Sequence, residues 1–344
     1  MKRCGVLLIF LALAACATSS PPPPSSPSLA PAVAATDAGS LFEFHTGFWV
    51  SLHHHLRGEA RRMPAAREGK FLRRPDPATL PDDERAAWES ALAIYAQKMA
   101  PRDLLFDEDL VKLKGALEGV DDSADLSALR DRFDRESIDA LEQAAPIYRS
   151  RVWPEQKRTA KEWIAAMAPF VERYGPAIAR RLATLYGAEW SEPVRVEVLP
   201  EAGAVGAYTT VNPTRVSISA FDPGLVGFPG LEILFHETTH PWSGELRNPL
   251  AREAARLEVS LPDALSHAVL FYVAGEVVRT ELERAGKPDY VLYVDANHLW
   301  NREWEGLREP IATACDPWLR GERSREEALR ALVVSVGKPR SAEG

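Results

Sequence analysis

Cysteine, excess positive charge and long apolar runs are all scarce in this chain, and each scarcity removes a class of protein. Three cysteines occur in 344 residues, too few for the disulfide framework that holds many small secreted domains together. The formal net charge is −8. The one strongly basic stretch, RGEARRMPAAREGKFLRRP, lies between two helical patterns, which argues against a nucleic-acid partner. The longest apolar run, from Gly5 to Ala15, falls short of the roughly 20 residues that a transmembrane helix needs. What remains is a chain that must build its own core, and about 300 residues from near Thr36 onward are ample for that.

The N-terminus is addressed rather than folded. MKRCGVLLIFLALAACATSSPPPPSSPS opens with Lys2 and Arg3, continues with the short apolar run and switches to Ser and Pro, the pattern of an export signal over residues 1–15. Leu13, Ala14, Ala15 and Cys16 resemble the bacterial lipobox, which implies cleavage before Cys16 and a lipid on its sulfur. Ala17 follows where an aspartate would resemble the inner-membrane retention signal, so the expected location is the cell envelope, as an outer-membrane lipoprotein facing the periplasm and held to the membrane by that anchor. Residues 16–38 then form a Pro/Ser-rich tether without the apolar content to fold. With Cys4 removed and Cys16 acylated, Cys315 has no partner for an internal disulfide.

Periodicity divides the remainder into a helical region over 39–190 and a mixed region over 191–340, an α+β arrangement. LFEFHTGFWVSLHHHL places Leu41, Phe44, Phe48 and Leu52 on helical spacing, and DDERAAWESALAIYAQKM reads as a second amphipathic helix. Further helical patterns occupy about 123–142 and 155–187. After Pro193 the period changes: VRVEVLP alternates, while GAYTTV and RVSISAF are rich in β-branched residues and are joined by the turn chemistry of NPT. A strand and a hairpin follow from this. Next come GLEILFHETTH, a loop through WSGELRNP, and a long apolar helix, DALSHAVLFYVAGEVVRTELERAG, with Gly286 as its C-cap.

The chemistry concentrates in His236, Glu237, Thr238, Thr239 and His240. Four residues along a helix turn through about 400°, so both imidazoles leave one face, one turn apart, close enough to share a tetrahedral Zn²⁺. Glu237 lies about 100° round, beside the metal and not on it. This HExxH resembles that of the zincin metallopeptidases, and specifically the gluzincins, in which strands precede the motif helix and a second helix supplies the third ligand. The resemblance implies that Glu237 activates a zinc-bound water. It covers roughly residues 194–286. Pro241 is a departure from it, because a residue before proline is pushed out of helical geometry and the motif helix must end or kink at His240.

For the third ligand, LSHAVLFYV resembles the gluzincin pattern L-S-E-G-L-A-x-Y-V with His267 at the ligand position. Glu276, nine residues on, is the alternative; it stands about 180° away on a straight helix, so the two cannot easily serve one metal. Glu253 and Glu258 are further candidates.

Past the second helix, Tyr290, Tyr293 and His298 are candidates for the donor that stabilises an oxyanion, of which Tyr293 and His298 are expected to act in catalysis. His53, His54 and His55 fan around one turn of the first helix and are read as a solvated or partly packed face. Zincins commonly bind an extended peptide along an edge strand, and GAYTTV is the candidate here, with Gly203 and Gly206 permitting close approach of a second backbone. The expected function is a membrane-anchored zinc-dependent hydrolase acting on a peptide or protein amide; the alternatives are a non-catalytic zinc-containing scaffold lipoprotein and a metal-dependent hydrolase of another bond. Glu237 separates the scaffold from the enzymes, since a structural site needs no acid/base group.

Overall fold

In the computed structural model, the described residues are 41–62, 80–190, 193–203 and 206–339. The export segment, Cys16, the tether and most of the arginine-rich stretch lie outside them. In chain order the elements are β1 (Phe42–His45), α1 (Phe48–Arg62), α2 (Asp82–Lys98), α3 (Glu108–Leu117), α4 (Arg135–Arg151), α5 (Trp153–Tyr186), β2 (Val194–Leu199), β3 (Ala207–Val211), β4 (Thr214–Ser219), α6 (Phe228–Thr239), α7 (Gly244–Arg256), β5 (Val259–Ser260), α8 (Leu265–Arg284), α9 (Tyr293–Ala296), α10 (Arg308–Leu319), α11 (Arg325–Val336) and β6 (Lys338–Pro339). The fold is mixed, mostly helical with a four-stranded sheet of order β1-β2-β4-β3 and a two-stranded β5-β6 pair. No helix among the described residues is long and apolar enough to cross a membrane.

Strands β1, β2 and β4 run parallel, and β3 closes one edge antiparallel to β4. The register lines up Phe44, Val196, Val216 and Thr209 across the sheet, and one residue along, His45, Glu197, Ser217 and Tyr208. Because successive side chains point to opposite faces, the first row belongs to an apolar face and the second to a polar one. The apolar face packs on α5 and α6 within a core that also takes in α7, α8, α10 and α11. A separate cluster of buried side chains unites α1 to α4. The polar face meets that helical layer at Glu118, at the end of α3: its carboxylate pairs with Arg215 of β4 at 2.9 Å and its carbonyl accepts from Arg195 of β2 at 2.7 Å, while Glu118 also pairs with Lys114 at 2.8 Å and Arg195 with Glu197 at 2.5 Å.

Four expectations are corrected. Residues 42–45 form a strand and not the start of a helix, because FEFH also alternates and β2 offers its edge; the helix begins at Phe48. WSGELRNP is not a loop: α7 starts at Gly244, runs through Pro249, and buries Leu246, Leu250 and Ala254 at four-residue spacing. The helical pattern over 123–142 becomes helix only from Arg135, where the Asp134 side chain accepts a hydrogen bond from the Ser137 amide. His53, His54 and His55 are not a solvated face; all three are buried. His53 Nδ1 lies 3.0 Å from the Tyr95 hydroxyl, His54 reaches Val50 O through Nδ1 and the Tyr208 hydroxyl through Nε2 at 2.7 Å, and His55 Nδ1 lies 3.1 Å from Gln156 Nε2. They fan to different neighbours, His53 to α2, His54 to β3 and His55 to α5, partners that the local sequence does not show.

Candidate metal centre

Helix α6 is positioned from both ends. Its first turn contains Pro229 after Gly227, which stands at φ 71°, and the preceding loop is tied to α5 by the Trp163 indole, which donates to Leu225 O at 2.7 Å. Leu231, Leu234 and Phe235 are fully buried. The helix ends at Thr239 and a 3₁₀ turn, His240–Trp242, follows, as the proline after His240 requires.

Three imidazoles converge there. His236 Nε2 lies 3.2 Å from His240 Nε2 and 3.3 Å from His267 Nε2, and one ligand atom from each residue fits within 4.8 Å of the others. Among the described residues this is the one group of three or more His, Cys, Asp or Glu side chains able to hold a metal ion. His236 is buried, His240 partly buried, and His267 sits at the exposed rim. Burial, and after it the neighbouring imidazoles, holds His236 well below the usual histidine range; burial and His267 bring His240 down to about 3. Both are therefore neutral at physiological pH, the form in which imidazole binds a metal.

Hydrogen bonding alone does not satisfy this arrangement. A neutral imidazole carries one N–H, so His236 Nε2 cannot both donate to one neighbour and serve the other through the same atom. A cation resolves the conflict by taking one lone pair from each ring. The spacings also suit it, since Zn–N bonds of about 2.0–2.1 Å in a tetrahedron separate ligand atoms by about 3.3 Å.

Glu237 is buried next to the trio. Its carboxylate lies 3.7 Å from His240 Nε2 and accepts the Thr209 hydroxyl at 2.7 Å, with Glu237 O 2.9 Å from the same hydroxyl. Burial raises its pKa to about 7, against the lowering effect of Thr209. In the metal-free chain the group thus takes up a proton more readily than an exposed glutamate. Aromatic rings wall the site. Phe271 stacks 3.9 Å from His236 between ring centroids, and Trp304 meets His267 edge-on at 5.6 Å.

The other sequence candidates lie outside the imidazole group. Glu276 is bound to Arg279 at 2.5 Å and Glu253 to Arg256 at 2.6 Å. Glu258, at φ 53°, lies outside the imidazole group. The Tyr290 hydroxyl donates to Glu232 at 2.6 Å. The ring of Tyr293 stacks on Phe271 at 6.1 Å, one ring removed from His236. His298 is exposed, in a left-handed conformation at φ 54°, and is not part of the imidazole group. Gly206 does permit a close approach, but the space is filled from within the chain: a Cβ there would meet Asp222 Oδ2 at 2.7 Å and Leu225 at 2.9 Å. Sequence reasoning missed Thr209 and Glu232. For Glu232 a signal existed, an acid four residues before His236 in an otherwise apolar helix; for Thr209 there was none.

Comparison of the chain with protein-family models, curated proteins and solved structures finds no match in any of the three.

Proposed function

We propose that this chain is a zinc-dependent hydrolase of peptide or amide bonds, built on a zincin-like unit and carried on a lipid anchor at Cys16 in the cell envelope. The observation that carries the reading is the Glu237 carboxylate, held by Thr209 beside three convergent imidazoles and 3.7 Å from one of them. His236, His240 and His267 would hold the ion. When bound it supplies Lewis acidity, polarising a carbonyl and acidifying water. Glu237 takes a proton from the attacking water and returns it to the departing amine, serving first as base and then as acid. Strand β3 ties the sheet to the site, since its residue Thr209 touches Glu237, and a peptide lying across that contact would meet the base directly.

The alternative is a non-catalytic zinc lipoprotein. Metal analysis combined with Glu237→Gln separates the two: the enzyme keeps its zinc while hydrolysis falls by about 10²-fold or more. Protein that binds zinc and hydrolyses nothing, with or without Glu237, supports the scaffold; protein that binds no zinc excludes both.

A further inference from the structure

Helix α6 carries a third polar side chain on the stripe that presents His236 and His240. Glu232, four residues before His236, is fully buried, and residues four apart share a helix face. Facing it, α8 repeats the spacing with His267, Phe271 and Gly275. His236 lies against His267 and Phe271, while a Cβ on Gly275 would stand 2.9 Å from Glu232 Oε1. Residue numbers therefore rise along α6 as they fall along α8, and a carboxylate tier lies one turn below the imidazole tier. Glycine is what leaves room for it.

That carboxylate does one visible thing. Its Oε2 accepts the Tyr290 hydroxyl at 2.6 Å and the Tyr293 amide N–H at 3.0 Å. Among the described residues Oε1 has no hydrogen-bond partner, and no ion pair includes Glu232. A buried, uncompensated carboxylate is costly, and the neighbours Leu231, Ile233 and Leu234 show that an apolar residue suits this helix. What Glu232 adds is a two-point tether to the chain that leaves α8, at Tyr290 in the irregular segment 287–292 and at Tyr293 just after it. Leu292 packs into the same notch, 3.1 Å from the Gly275 Cβ position, and Val291 beside it is exposed. The tethered segment delivers Tyr293, whose ring stacks on Phe271, which in turn stacks on His236.

We propose that Glu232 is a positioning residue: its carboxylate fastens the 290–293 segment to the motif helix and so sets Tyr293 beside the metal tier, as part of the substrate-facing wall. This rests on the hydrolase reading for its purpose, though not for its geometry. Glutamine at 232 retains an acceptor for both donors, whereas leucine retains only the volume.

The test follows the Tyr293 amide by hydrogen exchange in the full chain, with zinc affinity and turnover of fluorescein-labelled casein measured alongside. Glu232→Leu should accelerate Tyr293 exchange by about 10-fold or more, the scale of losing a hydrogen bond to a charged group, and should lower kcat on casein with KM unchanged. Glu232→Gln should restore both, and zinc affinity should stay within about threefold in each, because no ligand is touched. Unchanged Tyr293 protection in the leucine variant overturns the proposal. So does loss of zinc in that variant, which would make Glu232 a support of the ligand helix instead. If the leucine variant does not fold, Tyr290→Phe removes one prong and should still speed Tyr293 exchange severalfold; no change there overturns the proposal equally. Wild-type protein that binds no zinc, or leaves casein intact, counts against the hydrolase reading alone, since the exchange experiment still decides the tether.

Discussion

The hydroxyl of Thr209, on the edge strand, lies 2.7 Å from the carboxylate of Glu237, on the motif helix. One hydrogen bond thus joins the sheet to the candidate base. The preceding residue on the strand, Tyr208, points to the other face and reaches His54 at 2.7 Å, so β3 is held by its alternate side chains to the metal-bearing half and to the helical half at once. Its position does not depend on its backbone ladder to β4 alone.

Thr209→Val tests the first of these links. The threonine hydroxyl favours the charged carboxylate and lowers a pKa that burial has raised to about 7. Valine removes the donor at nearly constant shape, so in metal-free protein the Glu237 pKa should rise further, by about one to two units for a hydrogen bond to a charged group. Isotope-edited NMR titration of the glutamate carboxyls reads this directly. A pKa that stays at 7 or falls would show that Thr209 does not stabilise the charged base.

The ligand assignment predicts an asymmetry along α8. His267→Ala should weaken zinc binding by more than about 100-fold, beyond the cost typical of losing a supporting partner. Glu276→Ala should leave affinity unchanged, because Glu276 is engaged with Arg279 and not with the imidazoles. Competition with a chelator measures both, and the reverse pattern would move the third ligand to Glu276.

Much of the candidate site was legible because it is local. A four-residue histidine spacing needs only a helix to become a metal pair, Pro241 announces where that helix stops, and three β-rich segments stand before it. What escaped was decided by distant partners or masked by local signals. Strand β1 pairs with a strand some 150 residues downstream, so its four residues read equally well as the edge of a helical stripe. Gly244 and Pro249 hid the spacing of Leu246, Leu250 and Ala254. The histidines of α1 looked solvated because nothing near them in sequence offers partners; the polar face of β2 and β4, with Arg195, Glu197, Arg215 and Ser217, is visible as alternation but not as the surface that α1 and α3 cover.

Acylation is the prediction furthest from the described fold. Labelled palmitate should enter the protein in a bacterial host, and Cys16→Ser should abolish the label while leaving zinc content unchanged. Labelling that survives the substitution would exclude the lipobox reading.

The buried histidines make stability depend on acidity, with a sign that follows from burial. Desolvation, reinforced by Arg57, Lys114 and Arg102, brings His53 down to about 3 from an ordinary value of 6.5. Between those two values the unfolded chain binds a proton that the folded chain refuses, so stability is fully present above about 6.5 and is lost as pH falls toward 3. His54, His236 and His240 are lowered as well and add to the loss. Glu232 and Glu237, raised to about 7 by burial, act the other way: each binds its proton more readily in the folded chain, so they oppose the loss between about 7 and 4.5 and not below. Metal-free protein should therefore lose stability most steeply below about pH 4.5. Replacing His53 isolates one proton from this sum. His53→Gln keeps a group able to meet the Tyr95 hydroxyl but does not titrate, and its urea-derived stability should fall with acidity less steeply than wild type by up to about 1.4 kcal/mol per pH unit between pH 6 and 4. Equal slopes in the two proteins would mean that His53 is protonated in the folded state and that its buried site against Tyr95 admits the charge.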